Sequence, residues 1–142
     1  MISIEYERVI KARKDQIFTK LLDHANLDTL FNAQFNVLTP ALPTEPSGGK
    51  GCVREVTILG ISFLEQITHA TSEVIEYQVL NDFPVSDHLG KFTLNENTDG
   101  TKVTYHICCK APWYLPNLIL KHIIKSDILR CLNRLEAFYD PR

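Results

Sequence analysis

The sequence lacks the features of several large classes of protein. It has no apolar run long enough to span a bilayer, so we expect no stable membrane insertion. It has no excess of positive charge, with 15 Lys and Arg against 17 Asp and Glu, which argues against nucleic-acid binding. The N-terminal "MISIEYERVIKARK" carries acidic residues where a signal peptide would be apolar, so we expect a cytoplasmic protein.

The sequence lacks the cysteine spacing of a disulfide framework or of a metal site. The four cysteines are Cys52, Cys108, Cys109 and Cys131, and no Cys-x-x-Cys pair occurs among them. We expect four reduced thiols, as in most cytoplasmic proteins. His106 and Cys108 would share one face of a strand, but two candidate ligands without a second pair do not make a metal site. We therefore predict neither a metal nor another cofactor.

The chain does have the length and composition of one globular domain. Its 142 residues, 44% hydrophobic and 23% charged, suit a single domain over 1–142 with a core of its own. Partial alternation predicts a first strand over residues 2–11, and the spacing of Ile17, Phe18, Leu21 and Leu22 predicts a helix after it. A second short helix should include Leu27, Leu30 and Phe31. The stretch "TPALPTEPSGGKG" is rich in proline and glycine, which is typical of a loop.

The middle of the chain consists of strand patterns separated by turn residues. Alternating apolar residues predict strands over 52–59, 61–68, 73–80, 88–96 and 101–110. The segment "DFPVSD" interrupts the pattern, and "NTDG" predicts a hairpin turn. We place one further strand near Phe35 to Leu38. Successive strands followed by a helix favour an antiparallel sheet with helices on one face, an α+β architecture.

A long amphipathic helix is predicted from about Asn117 to Tyr139. Its apolar side chains fall within an arc of about 80°: Leu120, Ile124, Ile128, Cys131, Leu135 and Phe138. Asp127 lies inside this apolar stripe, close to Arg130 and Arg134. Its carboxylate either points into a cavity or pairs with an arginine on the flank.

Two predicted hairpins place charged and aromatic groups on an apolar face. A tight turn at Leu59-Gly60 pairs Ile58 with Ile61, Val56 with Phe63, Arg54 with Glu65 and Cys52 with Ile67, all on one face. A four-residue turn over 97–100 pairs Leu94 with Val103, Phe92 with Tyr105, Gly90 with Ile107 and His88 with Cys109. Burying such polar groups in a dry core is costly unless they are paired. The same groups suit the wall of a cavity that holds water or a ligand.

The sequence therefore predicts a set of residues that line a cavity between sheet and helix. These are Arg54, Val56, Phe63, Glu65, Tyr77, His88, Phe92, Tyr105, Ile107, Ile124, Asp127 and Cys131. Arg54 and Glu65 form either a structural cross-strand pair or a contact to a ligand. His88 with the two tyrosines forms either a catalytic acid–base group or the polar edge of a binding pocket. Trp113 and Tyr114 either close the cavity mouth or pack against the sheet edge.

The order of these motifs resembles a known family. The matching runs are "VIKARKDQIFTKLLD", "GKGCVREVTILGISFLEQIT" and "EVIEYQVLNDFPVSDHLGKFTLNENTDGTKVTYHI". They contain R-x-V-T, F-x-E-x-I, Y-x-V, G-x-x-x-L and D-G-T-K-V-T-Y. The chain is thereby similar, over nearly its whole length, to the polyketide cyclase/dehydrase family of the START-like (SRPBCC) superfamily, which includes the birch pollen allergen.

The resemblance implies a helix-grip fold, in which a curved antiparallel sheet of about seven strands wraps a long C-terminal helix around a deep apolar cavity. Members bind or transform hydrophobic molecules such as lipids, sterols, polyketides and quinones. We therefore expect binding of a small hydrophobic ligand. The alternatives are a cofactor-independent cyclase, aromatase or dehydratase that uses the polar cavity residues, and a protein-interaction module. The sequence leaves the oligomeric state open.

Overall fold

The computed structural model describes residues 1–80 and 85–141. Its strands are β1 Ile2–Ile10, β2 Gln34–Thr39, β3 Val53–Ile58, β4 Ile61–Ala70, β5 Val74–Val79, β6 Ser86–Asn97 and β7 Gly100–Lys110. Its helices are α1 Lys14–Leu22, a short 3₁₀ helix His24–Thr29 and α2 Asn117–Tyr139. The predicted α+β architecture, the strand near residues 35–38 and the bounds of the long helix are confirmed. Residues 81–84 of the predicted break lie outside the described residues.

The seven strands form one antiparallel sheet in the order β1-β7-β6-β5-β4-β3-β2. Strands β2 to β7 follow one another as neighbours, whereas β1 adds to the far edge beside β7. The two strands nearest the N-terminus therefore lie at opposite edges, and the segment with α1 and the 3₁₀ helix connects them. This arrangement curves the sheet around α2, which contacts β1 and β7.

The register of both predicted hairpins agrees with the structure except at one end. Ile58 pairs with Ile61, Val56 with Phe63 and Arg54 with Glu65, and the second ladder pairs Leu94 with Val103 and Phe92 with Tyr105. The predicted pair of His88 with Cys109 is wrong. The register shifts between Ser86 and Leu89, where Asp87 has φ 52°, so a bulge replaces the regular pairing. Asn97 pairs with Gly100, which shortens the predicted turn.

Apolar residues of the concave sheet face and one face of α2 form the core. From α2 the buried side chains are Leu120, Ile124, Ile128, Cys131, Leu132 and Leu135. Phe138 belongs to the predicted stripe but is exposed at the end of the helix. All four cysteines are free thiols. Within the described residues, neither helix is long and apolar enough to cross a bilayer.

Candidate functional site

A cavity of about 390 Å³ lies between the concave face of the sheet and α2. Strands β2 to β7, the segment before β2 and one side of α2 contribute to its wall. Its described lining consists of Phe31, Asn32, Ala33, Phe35, Arg54, Val56, Ile58, Leu59, Phe63, Glu65, Tyr77, His88, Tyr105, Ile107, Ile123, Asp127 and Arg130. Apolar side chains thus enclose a small group of polar ones, as in many ligand pockets.

Arg54 and Glu65 form a buried ion pair in this wall. They are 5% and 6% exposed and lie opposite each other on β3 and β4. Arg54 donates from Nε at 2.9 Å and from Nη2 at 2.7 Å, and both bonds end on Oε1 of Glu65. Its guanidinium also lies over the rings of Phe35 and Tyr77, 5.0 and 5.1 Å from their centroids. Pairing and cation–π contact together offset the cost of burying these charges.

His24, which the sequence analysis did not single out, holds the other side of Arg54. Arg54 Nη1 donates to His24 Nδ1 at 2.9 Å, so Nδ1 must be unprotonated. His24 Nε2 then carries the proton and donates to the Gly48 carbonyl oxygen, also at 2.9 Å. Burial lowers the pKa of His24, and the Arg54 charge lowers it further. The uncharged His24 imidazole therefore accepts a hydrogen bond from Arg54 and holds the guanidinium in place. No spacing pattern in the sequence predicts this contact.

Tyr77 and Tyr105 join their hydroxyl groups across the cavity wall. The two hydroxyls form a short hydrogen bond, and both side chains are buried. Phe92 stacks on Tyr105 with ring centroids 4.0 Å apart, and Phe31 meets it edge-on at 6.2 Å. Burial raises the pKa of both tyrosines well above the ordinary value. Both therefore remain protonated at neutral pH and serve as fixed hydrogen-bonding groups.

His88 lines the cavity from β6. Its Nδ1 is buried and has no hydrogen-bond partner among the described residues. The ring lies 5.9 Å from that of Tyr77, centroid to centroid. Burial lowers the pKa of His88, while Glu65 and the main chain of His88 act in the opposite direction. The imidazole thus contributes a neutral polar group to the cavity wall.

Asp127 contributes to the wall from α2, and it fulfils both alternatives that the sequence left open, cavity lining and pairing with an arginine. It lines the cavity, and it accepts a hydrogen bond from Arg130 Nη1 at 2.9 Å. Burial raises the pKa of Asp127, and the Arg130 contact opposes that rise. The pair is more exposed than Arg54–Glu65, so solvent screens its charges more strongly.

The structure brings most of the predicted residues to one wall. Nine of the twelve are among the described lining: Arg54, Val56, Phe63, Glu65, Tyr77, His88, Tyr105, Ile107 and Asp127. Phe92, Ile124 and Cys131 are instead buried in the core beside it. Trp113 is 96% exposed, so it does not pack against the sheet edge, and with Tyr114 it lies outside the described lining.

A larger pocket of about 780 Å³ lies beyond His24, between α1 and the proline-rich loop before β3. Phe18, Leu22, Pro40, Pro43 and Pro46 are among its lining residues. His24 is shared by this pocket and the ion pair, but its ring nitrogens are already bonded to Arg54 and Gly48. We place the site in the smaller cavity, because polar side chains of strands β3 to β7 and of α2 converge there.

The outer face of the sheet carries a separate polar group. Ser3 Oγ lies 2.7 Å and Cys108 Sγ 3.3 Å from His106 Nε2. Across residues 1–80 and 85–141, no group of three or more His, Cys, Asp or Glu side chains could hold a metal ion. The possible ligand pair His106 and Cys108 thus gains no third ligand there.

Comparison with known families identifies the family of this chain. A family model described as polyketide cyclase / dehydrase and lipid transport matches residues 1–138. The chain belongs to this family. No protein of curated function matches the chain in sequence. Membership confirms the resemblance seen in the sequence motifs and agrees with the sheet and long helix described above.

Solved structures show that this family member has the START-like helix-grip fold. A START superfamily protein from Mycobacterium smegmatis has a TM-score of 0.79 at 13% identity and covers 98% of this chain and 97% of its own. Ara h 8.0201 has a TM-score of 0.68 at 17% identity, with 99% of each chain covered. The Aha1 dimer from Colwellia psychrerythraea scores 0.70 at 15% identity, covering 100% and 99%. Such identities establish the fold alone.

Proposed function

We propose that the protein binds a small hydrophobic molecule, such as a lipid or a polyketide, in the cavity between the sheet and α2. The observation that carries this proposal is the combination of a mainly apolar wall with convergent polar side chains, Arg54, Glu65, Tyr77, His88 and Asp127. The volume of about 390 Å³ lies within the usual range for ligand pockets. Family membership in polyketide cyclase / dehydrase and lipid transport supports the same class of ligand.

The first test is native mass spectrometry of protein purified from its own host, followed by organic extraction. A retained hydrophobic molecule is the expected result and would identify the ligand class. A clean apo mass would count against tight carriage.

A second test asks whether binding takes place in this cavity. Val56→Phe would fill part of the cavity, because Val56 lines it and is buried. Val53→Phe is the matched control, since Val53 lies on the same strand with its side chain on the opposite face. We expect the first change to weaken binding of a fluorescent apolar probe roughly tenfold and the second to leave it unchanged. Equal affinities in both variants would place binding elsewhere.

The second candidate function is a cofactor-independent cyclase, aromatase or dehydratase. The observation that favours it is His88, a cavity-lining imidazole that its lowered pKa keeps neutral. Such a group can accept a proton from a substrate. Turnover of a polyketide-like substrate with a pH profile that changes in His88→Ala would support this reaction. An unaltered profile would remove His88 from it.

The third candidate, a protein-interaction module, has less support. It would fit a collapsed cavity with an exposed apolar patch, whereas the cavity is open. The cytoplasm remains the proposed location, in keeping with four free cysteines and no disulfide requirement.

A further inference from the structure

We propose that the start of α2 and the turn before it dock the protein peripherally on an anionic lipid surface. The docking site is an apolar patch with lysines along one flank, and it consists of Trp113, Tyr114, Leu118, Ile119 and Ile123. Such docking is a further property of the molecule, separate from ligand binding in the cavity.

The apolar patch exposes large side chains to solvent. Trp113 is 96% exposed, Leu118 80% and Tyr114 59%. The rings of Trp113 and Tyr114 meet edge-on, with their centroids 5.7 Å apart. Ile119 and Ile123 are 50% and 45% exposed and are spaced i, i+4, so they share one face of α2. Large apolar side chains exposed this close together mark a surface that contacts a partner.

Unpaired positive charge accompanies the apolar patch. Residues 110–126 contain Lys110, Lys121 and Lys125 and neither Asp nor Glu. All three lysines are exposed, and within the described residues none of them forms an ion pair. Lys121 and Lys125 are spaced i, i+4 and therefore lie on one flank of α2. This part of the surface thus offers positive charge to a partner.

Aromatic rings beside lysines are typical of a membrane–water interface. Trp and Tyr are enriched at the level of the lipid headgroups, because their rings have an apolar body and a polar edge. Lysines near the surface attract anionic headgroups. Protein–protein interfaces, in contrast, are depleted in lysine. The composition of the apolar patch and its flank therefore favours an anionic bilayer over another protein.

Ile123 connects the apolar patch to the cavity. It is partly exposed, and it also belongs to the cavity lining. Leu59, in the β3–β4 turn, is another lining residue that is largely exposed. The cavity therefore reaches the surface between these two side chains, next to the apolar patch. Docking sets this opening against the lipid, and under the proposed function a hydrophobic ligand then enters without crossing water.

The chain has one tryptophan, so its fluorescence reports directly on the apolar patch. The full chain is titrated at low salt with vesicles of phosphatidylcholine alone, and with vesicles of phosphatidylcholine and phosphatidylserine in equal parts. We expect the anionic vesicles to shift the emission of Trp113 to shorter wavelengths, because the ring leaves water. Binding to phosphatidylcholine alone should be roughly tenfold weaker, and added salt should weaken binding to the anionic vesicles.

Two double variants test the lysine flank. Lys121→Gln/Lys125→Gln should weaken binding to the anionic vesicles roughly tenfold. Lys50→Gln/Lys91→Gln is the control, because it removes the same net charge from outside residues 110–126. The control should lose much less affinity. Equal losses in the two double variants would overturn the docking site, since net charge alone would then explain the binding.

Two serine variants test the apolar patch itself. Leu118→Ser should weaken binding to the anionic vesicles roughly tenfold, because an exposed leucine no longer enters the lipid. Leu38→Ser is the control, since Leu38 is a 52% exposed leucine of β2 outside the apolar patch. It should bind as tightly as the wild type. Equal binding by Leu118→Ser and the wild type would overturn the role of the apolar patch.

The remaining outcomes separate docking from ligand binding and from self-association. Val56→Phe fills part of the cavity and should still dock like the wild type, so docking and ligand binding can fail independently. An unshifted Trp113 emission would overturn the proposal, even if the protein floats with the vesicles, because another surface would then make the contact. A shift that appears without vesicles as protein concentration rises, together with a dimer in sedimentation, would overturn it in favour of a second copy of the chain.

Discussion

The ring of Tyr77 occupies the space that a side chain at Gly90 would need. The two residues pair across β5 and β6, and a Cβ atom at Gly90 would overlap with the Tyr77 ring and hydroxyl. The glycine thus lets the tyrosine lie flat along the sheet, where its hydroxyl reaches Tyr105. The shape of the cavity wall depends on this missing side chain.

Gly90→Ala should therefore destabilise the protein by about 2 kcal/mol, because the ring must move and the bond to Tyr105 is strained or lost. Chemical denaturation measures the change in the free energy of unfolding. The same substitution in a Tyr77→Leu background should cost clearly less, since the clashing ring is gone. Additive costs in the two backgrounds would show that Tyr77 is not the cause.

The Arg54–Glu65 pair should be costly to break and less costly to replace. Arg54→Met leaves the Glu65 carboxylate buried without its partner, and we expect a loss of about 3 kcal/mol. The double variant Arg54→Met/Glu65→Leu should recover at least half of this loss, because no uncompensated charge remains. Thermal and chemical unfolding of the three proteins would check this. A double variant less stable than the single one would contradict it.

Stability should fall as the pH drops below neutrality, in part through His24. Burial and Arg54 lower its pKa in the folded state below the ordinary 6.5. The unfolded chain then binds a proton more readily than the folded one, so the contribution is complete above pH 6.5 and is lost as the pH falls towards the folded pKa.

His24→Asn replaces the titratable imidazole with an amide that does not titrate but still offers an acceptor oxygen to Arg54. Its melting temperature should fall less than that of the wild type between about pH 8 and about pH 5.5. His69→Asn changes an exposed histidine and should retain the wild-type slope. Parallel curves for wild type and His24→Asn would show that His24 does not contribute.

The β3–β4 turn should be open to stabilisation. Leu59 has φ 51° and Gly60 φ 80°, the left-handed pair of a tight hairpin turn in which asparagine is preferred at the first position. Leu59 is also 97% exposed. Leu59→Asn should raise the free energy of unfolding by roughly 0.5–1 kcal/mol. Because Leu59 lines the cavity, the same variant should weaken probe binding. A lower free energy of unfolding for Leu59→Asn would contradict this prediction and show that the Leu59 side chain makes stabilising contacts.

The sequence predicted the strands and the long helix because their apolar periodicities are strong and uninterrupted. Arg54 and Glu65 could be paired from the sequence, since a two-residue turn at Leu59-Gly60 sets the register. His88 lies on the predicted face in spite of the bulge, but its predicted pairing with Cys109 is not formed. Asp87 adopts a left-handed conformation there, which no local sequence pattern predicts.

The site was predicted less completely than the fold. His24 contacts Arg54 from an element 30 residues away, and periodicity carries no information on such contacts. Phe92, Ile124 and Cys131 are buried on the same faces as cavity residues but lie outside the described lining. Knowing the face of a strand or helix does not tell how far the cavity extends along it.

The order of strands also has a consequence for how the chain folds. Ile2 at one end of β1 pairs with Cys109 of β7, more than a hundred residues later in the sequence. During synthesis β1 must stay without its ladder until β7 has been made, while β2 to β7 can pair with neighbours as they appear. Closing so long a loop is slow compared with forming hairpins. The docking of the N-terminal strand, and not the formation of the cavity wall, should therefore be the late step of folding.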